Sequence, residues 1–382
     1  MTETRRLPRA QVAPLVLATM TSQALLVVLG PTMAAIGQDF QAPVAAVGQA
    51  RTVTATAAIA VSAFITVRGV RPRRLVQAGS TVALGGCAAV AAAPGLPYFL
   101  VAHGVVGVAV ACLLTAGFAG VAAFGGYERA RVIGYVTGAN AFAWIVVNPS
   151  VGVVTEYVSW QAAQAVVAVL ALATLVSSGT AAPGGGAQQA LPLRVLLGDR
   201  SARRWVVAEL LAYTCWTGLL TFIGAYFVER LRLGEGAAGW LLASGAAAYV
   251  VASTRSARLV SRISRRHLVA GAALVMAVLL PAALAADVLG WYVVALLYCL
   301  IGTAAGVRTP ASSGLGIDQL PRQAGAMMAV RTGVTQLGYL LGAVAGGAVI
   351  AVGGYTVLGG VLGAGMAVSA LLVLAVRDTA PE

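Results

Sequence analysis

The chain has 382 residues, 59% of them hydrophobic and 10% charged, with a net charge of +13. Soluble domains average about 45–50% apolar and about 25% charged residues, and so little charge cannot cover a soluble surface of this size. A cytosolic enzyme, a secreted disulfide scaffold and a disordered chain are thereby excluded, which leaves a polytopic helical membrane protein.

A transmembrane barrel would show roughly 10-residue strands of alternating polarity. The apolar runs here are continuous and longer, and they predict twelve helical spans: 12–36, 44–67, 75–93, 96–119, 132–155, 161–178, 204–227, 237–254, 267–286, 290–313, 324–350 and 354–376. Arg5, Arg6 and Arg9 before the first run mimic a secretory signal, but many runs follow, so the first is read as an uncleaved helix. Pro94, Gly95 and Pro97 mark a tight turn between spans 3 and 4, and Gly353 with Gly354 another between spans 11 and 12. Pro183-Gly184-Gly185-Gly186, then Gln188 and Gln189, has the composition of a flexible linker. No Lys-Ser/Thr follows these glycines, so they form no phosphate loop. The predicted organisation is an N-terminal six-helix bundle over 1–180, a cytoplasmic linker over 181–203 and a C-terminal six-helix bundle over 204–382.

Arginine sets the orientation, since all 25 basic residues are arginine. With loops numbered alternately from the N-terminus, 20 fall on the first side: Arg5, Arg6, Arg9, Arg68, Arg71, Arg73, Arg74, Arg129, Arg131, Arg194, Arg200, Arg203, Arg204, Arg255, Arg258, Arg262, Arg265, Arg266, Arg322 and Arg377. Arg230 and Arg232 fall on the second side, and Arg51, Arg308 and Arg331 lie within spans. Cytoplasmic loops carry the excess of basic residues, so both termini are expected in the cytoplasm, with the chain in the cell inner (cytoplasmic) membrane. The basic balance is then loop charge, and no nucleic-acid partner is implied. The halves also repeat in the same orientation. Arg73-Arg74 and Arg265-Arg266 are 192 positions apart, Arg129 and Arg322 are 193 apart, and Trp160 and Tyr355 are 195 apart. The expected fold class is therefore an all-α membrane protein, twelve transmembrane helices in two parallel-repeat six-helix bundles, which is a transporter architecture with its site between the halves.

Four stretches carry recognisable patterns. The loop after span 2 reads Ile65-Thr66-Val67-Arg68-Gly69-Val70-Arg71-Pro72-Arg73-Arg74, and the loop after span 8 reads Ala257-Arg258-Leu259-Val260-Ser261-Arg262-Ile263-Ser264-Arg265-Arg266. In span 4, Phe99-Leu100-Val101-Ala102 precedes His103-Gly104-Val105-Val106-Gly107, and span 5 contains Asn148-Pro149-Ser150-Val151-Gly152. Over nearly the whole chain this pattern resembles the major facilitator superfamily. That family's loop signature is Gly-x-Leu-Ala-Asp-Arg-x-Gly-Arg-Arg, its proton-coupled members carry Arg-x-x-x-Gly in span 4, and its antiporters carry Gly-Pro-x-x-Gly in span 5. The terminal arginine pairs are kept here. Gly69 and Ser261 replace the aspartate that helps the family latch its cytoplasmic side in the outward-open state, so the resemblance implies other contacts for that closure. His103 stands for the span 4 arginine, and Asn148 for the first glycine of span 5. The resemblance implies the major facilitator fold and similarity to bacterial drug or metabolite:proton antiporters. Physically, Pro149 with Gly152 suits a bent, closely packed helix, and Gly342-Ala343-Val344-Ala345-Gly346 is a small-x-x-x-small packing pattern.

Ionisable groups within a span are costly and face a cavity or a partner. Glu209, Arg308 and Arg331 each lie roughly 8–10 Å from the cytoplasmic end of their spans. One carboxylate and two guanidiniums at one level predict an ion-paired cluster that either gates the cavity or holds an anionic group of the substrate. A purely structural pair, or an Arg308–Asp318 pair, is the alternative. Arg51 and His103 lie nearer the external side, where Asp39 is placed to pair with Arg51. His103 titrates near neutrality and either carries a coupling proton or serves as a neutral hydrogen-bonding ring. His103, Glu209, Asp39 and Arg51 are thus the proton-coupling or gating candidates, since span 1 itself holds no acidic residue. The substrate-binding candidates are Gln23, Asn140, Trp144, Tyr213, Trp216, Tyr298, Arg308, Arg331 and Gln336, with Tyr339 nearby. Asn140 and Trp144 are four apart and share a helical face. Cys87, Cys112, Cys215 and Cys299 have no metal-ligand spacing and read as small hydrophobes.

The expectation from these features is a secondary active transporter of a small organic solute, working by alternating access, with protons as coupling ion and efflux of a drug or metabolite as its direction. Uptake or facilitated diffusion of an organic anion is the alternative within transport. A non-transporting membrane sensor or scaffold is the alternative of another class, and a membrane enzyme is disfavoured because no nucleophile–base pair is visible. The expected partners are a small-molecule substrate, protons and the lipid bilayer. No cofactor or metal is expected, and the chain is expected to act as a monomer.

Overall fold

The computed structural model describes residues 9–68, 70–181 and 198–378. Most of the expected linker, together with Arg5, Arg6, Gly69 and Arg194, lies outside the described residues. A chain in hydrocarbon must satisfy every backbone N–H and C=O internally. The apolar runs accordingly form helices, and no strand occurs among the described residues.

Among the described residues helices cover each of the twelve predicted spans. Span 1 consists of Arg9–Val27 and Leu29–Asp39, and span 2 of Val44–Val47 and Gln49–Arg68. Spans 3 to 10 are Pro72–Ala91, Leu96–Gly120, Gly126–Tyr157, Trp160–Ser177, Arg200–Glu229, Glu235–Val260, Arg265–Ala285 and Trp291–Gln319. Spans 11 and 12 follow one another within Ala324–Leu374, broken at Gly354, whose φ of 69° and ψ of −168° are not helical. The expected turn is thus a single glycine in a conformation that other residues avoid. Span 1 is interrupted at Val28 because Pro31 has no N–H to offer the carbonyl of Val27.

Local chemistry explains the ends. The Ser159 hydroxyl accepts the N–H of Ala162 at 3.0 Å and caps span 6. Asp199 Oδ1 accepts the N–H groups of Ser201 and Ala202 at 2.8 and 2.9 Å, which starts span 7 earlier than the apolar run suggests. Those bonds, the Ala202 N–H above all, and the nearby Arg377 hold the Asp199 carboxyl below the usual carboxylate range. The helix through Pro149 is unbroken, so the expected bend is not an interruption. Beside it, Asn148 Nδ2 donates to the Trp144 carbonyl at 2.7 Å.

The two bundles repeat one packing scheme. Span 4 packs on spans 2 and 3, and span 3 on span 6; span 10 packs on spans 8 and 9, and span 9 on span 12. Span 7 lies against spans 11 and 12. The glycine ridge of span 11 makes that contact possible, because a Cβ at Gly342 would sit 2.7 Å from Gly218 N and one at Gly346 would sit 2.8 Å from the Phe222 ring. Thr217 Oγ1 donates to the Gly338 carbonyl at 2.8 Å along the same seam.

An even number of antiparallel spans puts both termini at one face, here the terminal face; the other is the distal face. The halves are joined toward the distal face. Gly30 of span 1 crosses Gly224 of span 7 so closely that no side chain fits at Gly224. Gly239 of span 8 lies against the Asn148 carbonyl, 2.5 Å from where a Cβ would stand. Glu156 Oε2 accepts the N–H of Gly236 at 2.7 Å, and Gln49 Nε2 donates to the Ala343 carbonyl at 3.3 Å. Toward the terminal face the halves part. Gly152 of span 5 is jammed against the Glu235 carbonyl, yet Gly134, five turns back on the same helical face, has nothing within 4 Å of its Cβ position. In span 11, Gly347 abuts Gln49 whereas Gly333 meets nothing within 4 Å.

Candidate functional site

Span 7 presents Trp205, Glu209 and Tyr213 at four-residue intervals, hence on one face. That face meets spans 10 and 11. Glu209 Oε2 accepts from Arg308 Nη2 and from Ser312 Oγ, each at 2.7 Å, and Oε1 accepts from Arg331 Nε at 3.2 Å. Arg308 and Ser312 are again four apart and reach the carboxylate together. Arg331 Nη2 also donates to the Tyr213 hydroxyl, and its guanidinium lies 5.3 Å from the Tyr213 ring centroid. Trp205 Nε1 donates to Ser312 from below, at 3.1 Å to its carbonyl. The expected cluster is therefore formed, with Glu209 only 1% exposed. The alternative Arg308–Asp318 pair is not made, because the two lie ten residues apart on one unbroken run of span 10, about 15 Å along its axis.

One carboxylate faces two guanidiniums, so the cluster is cationic, and Arg308 Nε is buried without a hydrogen-bond partner. A small void beside it is lined by Tyr213, Trp216, Arg308 and Thr309. Trp216 stacks on Tyr249, with ring centroids 6.5 Å apart at 15°. Aromatic faces and unspent donors thus border the same space.

In the N-terminal half, Trp144 Nε1 donates to Gln23 Oε1 at 3.2 Å, joining spans 5 and 1. Asn140 lies one turn from Trp144 and is half-buried, as is Gln336 on span 11. Arg51 is 2% exposed, and its guanidinium lies 5.7 Å from the ring centroid of Tyr339 in the opposite half. His103 is buried, its Nδ1 2.9 Å from the Phe99 carbonyl and its ring against the Phe99 ring.

Two placements differ from expectation. Asp39 does not pair with Arg51; its Oδ2 accepts from Trp160 Nε1 at 2.9 Å and Gln161 Nε2 at 3.1 Å, which fastens span 6 to the end of span 1. Proximity along the chain favours Arg51, but span 6 arrives from a distant part of the sequence with better donors. Tyr298 is 2% exposed, packed between Gly245 and Phe227 inside the C-terminal half and away from the seam. The sequence does not single out Ser312, Tyr249 or Glu156, since their residue types carry no signal without a partner.

A family model described as Major Facilitator Superfamily matches residues 15–235 and 205–382. No curated protein matches the chain. Among solved structures, the crystal structure of a D-xylose-proton symporter superposes with a TM-score of 0.79 at 13% sequence identity, covering 95% of this chain and 96% of that one. At that identity the likeness speaks for the fold, and the family match speaks for descent: the chain belongs to the major facilitator superfamily.

Proposed function

We propose that this chain exports a small organic solute from the cytoplasm by alternating access, with protons moving inward as the coupling ion. The observation that carries the alternating-access part of the reading is the contrast along one face of span 5, while the direction rests on the antiporter-like stretch in that span. Gly152 is locked against span 8, and Gly134 on the same face meets nothing within 4 Å. The halves are closed at the distal face and parted at the terminal face, and the arginine asymmetry favours a cytoplasmic terminal face. In this state the seam between the bundles is reached from the cytoplasm. It leads to the Glu209–Arg308–Arg331 cluster and its aromatic border.

Two further points support the reading. The Asn148-Pro149-Ser150-Val151-Gly152 stretch, which resembles the antiporter signature, lies at the closed contact itself. Glu209 accepts from both arginines, so a proton on its carboxylate would release a guanidinium toward the cavity. The structurally similar D-xylose carrier is a proton symporter, which favours a proton as the coupling ion here. The chain acts as a monomer in this reading, since each copy holds a complete route.

The test is flux into proteoliposomes of a matched panel of small organic anions, cations and neutral compounds, with a pH gradient imposed in either direction. Solute accumulation in an acid lumen supports proton exchange for solute; accumulation in an alkaline lumen supports co-transport and would overturn the export reading.

A further inference from the structure

Among the described residues Arg51 has no counter-ion within ion-pair distance. It sits in span 2 at the seam between the bundles, 2% exposed, and its Nε and Nη1 are buried without a hydrogen-bond partner. The carboxylate expected to neutralise it, Asp39, is engaged by Trp160 and Gln161. The buried imidazole of His103, with Nδ1 at the Phe99 carbonyl, offers Arg51 no negative charge. The facing group from the other half is the ring of Tyr339, whose cation–π attraction is weaker than a charge pair. A guanidinium taken out of water and left with two idle donors is costly. Such a group makes physical sense where an anion arrives during the working cycle.

Across the seam the balance tilts the same way. Arg308 and Arg331 share the single carboxylate of Glu209, and Arg308 Nε is likewise idle. Arg331 and Tyr339 lie eight residues apart on span 11, about 12 Å along its axis, so Arg51 and Arg331 bracket a stretch of seam faced by Tyr339 and Tyr213.

We propose that Arg51 is the N-terminal half's contact for the acidic group of the solute, and that the solute is an organic acid: a carboxylate, sulfonate or phosphate ester whose apolar or aromatic body lies against Tyr339 and Tyr213. The guanidinium fork suits such a group because it offers parallel N–H donors to two oxygens. This rests on the transport reading above and narrows its substrate class. It also gives alternating access a grip on both halves, since an acid held by Arg51 of one bundle rests its body on Tyr339 of the other.

The experiment uses the full chain purified in an uncharged detergent, with unfolding followed by tryptophan fluorescence. Without ligand, Arg51→Gln leaves Tm unchanged or raises it, because an unpaired buried charge is removed; a fall of several degrees would make Arg51 a structural partner and overturn the proposal. With ligand, benzenesulfonate raises the Tm of the wild type, while benzenesulfonamide, benzyltrimethylammonium and sodium chloride at equal ionic strength do not. The affinity for benzenesulfonate falls about tenfold or more in Arg51→Gln and recovers in part in Arg51→Lys. No rise with benzenesulfonate, a rise that survives Arg51→Gln, or an equal rise with chloride or the sulfonamide would overturn the acid site. Proteoliposome flux separates this from the transport reading. Benzenesulfonate binding without flux counts against transport and leaves the acid site standing; benzyltrimethylammonium flux that is unaffected by Arg51→Gln supports transport and overturns the acid site.

Discussion

Arg308 Nη2 and Glu209 Oε2 meet at 2.7 Å in the interior of the C-terminal half, with side chains 5% and 1% exposed. The carboxylate is the common acceptor for spans 10 and 11, so it decides whether two guanidiniums are held or released. Glu209→Gln would leave both without a counter-ion. Breaking a buried pair from one side costs about 3–5 kcal/mol, so this variant should unfold at a clearly lower Tm and move solute about tenfold more slowly or worse. Thermal unfolding and proteoliposome flux check this together, and full flux at normal expression would contradict the cluster's role.

His103 offers a contrast. Its ring is fixed by the Phe99 carbonyl and the Phe99 ring, and Thr54 Oγ1 donates to the His103 carbonyl at 3.1 Å. These contacts describe a packed ring held in place from its own helix and from span 2. His103→Ala should therefore lower stability by roughly 2 kcal/mol or more through the lost ring while the pH profile of transport keeps its shape. A flattened or displaced profile would assign the coupling proton to His103.

The distal closure depends on glycine. A Cβ at Gly152 would overlap the Glu235 carbonyl, so Gly152→Leu should weaken closure and favour the distal-open state. Spin labels at Tyr157 and Trp240, both exposed near the distal face, should move apart in this variant, and labels at Tyr135 and Thr332 near the terminal face should approach. Unchanged distances in both pairs would mean that the contact does not set the balance.

Much of this is legible in the sequence, and the reasons are specific. Charged residues stand out in apolar runs, and their depth follows from counting residues at a fixed rise, so Glu209, Arg308 and Arg331 fall at one level by arithmetic alone. Gly342 and Gly346 announce a close crossing because nothing else permits one. The partners of Asp39 are not legible: Trp160 and Gln161 come from span 6, and only tertiary packing brings them there. The isolation of Arg51 is hidden for the same reason. Ser312 and Tyr249 belong to residue types that membrane helices use freely, so their roles follow from geometry alone. Glu156 closes on Gly236 at the start of span 8, an N–H-rich helix end suited to a carboxylate whose partner the sequence does not name.

The cap of span 7 gives a prediction outside the membrane. Asp199→Ala should cost about 1 kcal/mol through the lost cap. Bonds from Ala202 and Ser201, with Arg377, hold the Asp199 carboxyl below its ordinary range. A depressed folded-state value means that the stabilisation is present above the unfolded value, about 3.9, and is lost as pH falls through the lower folded value. The stability difference between wild type and Asp199→Asn, which keeps a capping oxygen but no charge, should be constant from about pH 7 to pH 5 and shrink below about pH 4. Chemical denaturation of both proteins across that range measures it, and a difference that already changes near neutrality would contradict the assignment.

The central claim is that an inward proton movement drives solute outward through the seam between the bundles. It is tested most directly by loading proteoliposomes with an acid lumen and following external radiolabelled benzenesulfonate, which stays charged and does not cross lipid unaided. Exchange of protons for solute predicts accumulation above the external concentration, collapse on adding a protonophore, and loss of accumulation in Glu209→Gln. Accumulation only with an alkaline lumen, or entry no faster than into protein-free vesicles for this anion and for every other solute of the matched panel, would contradict it.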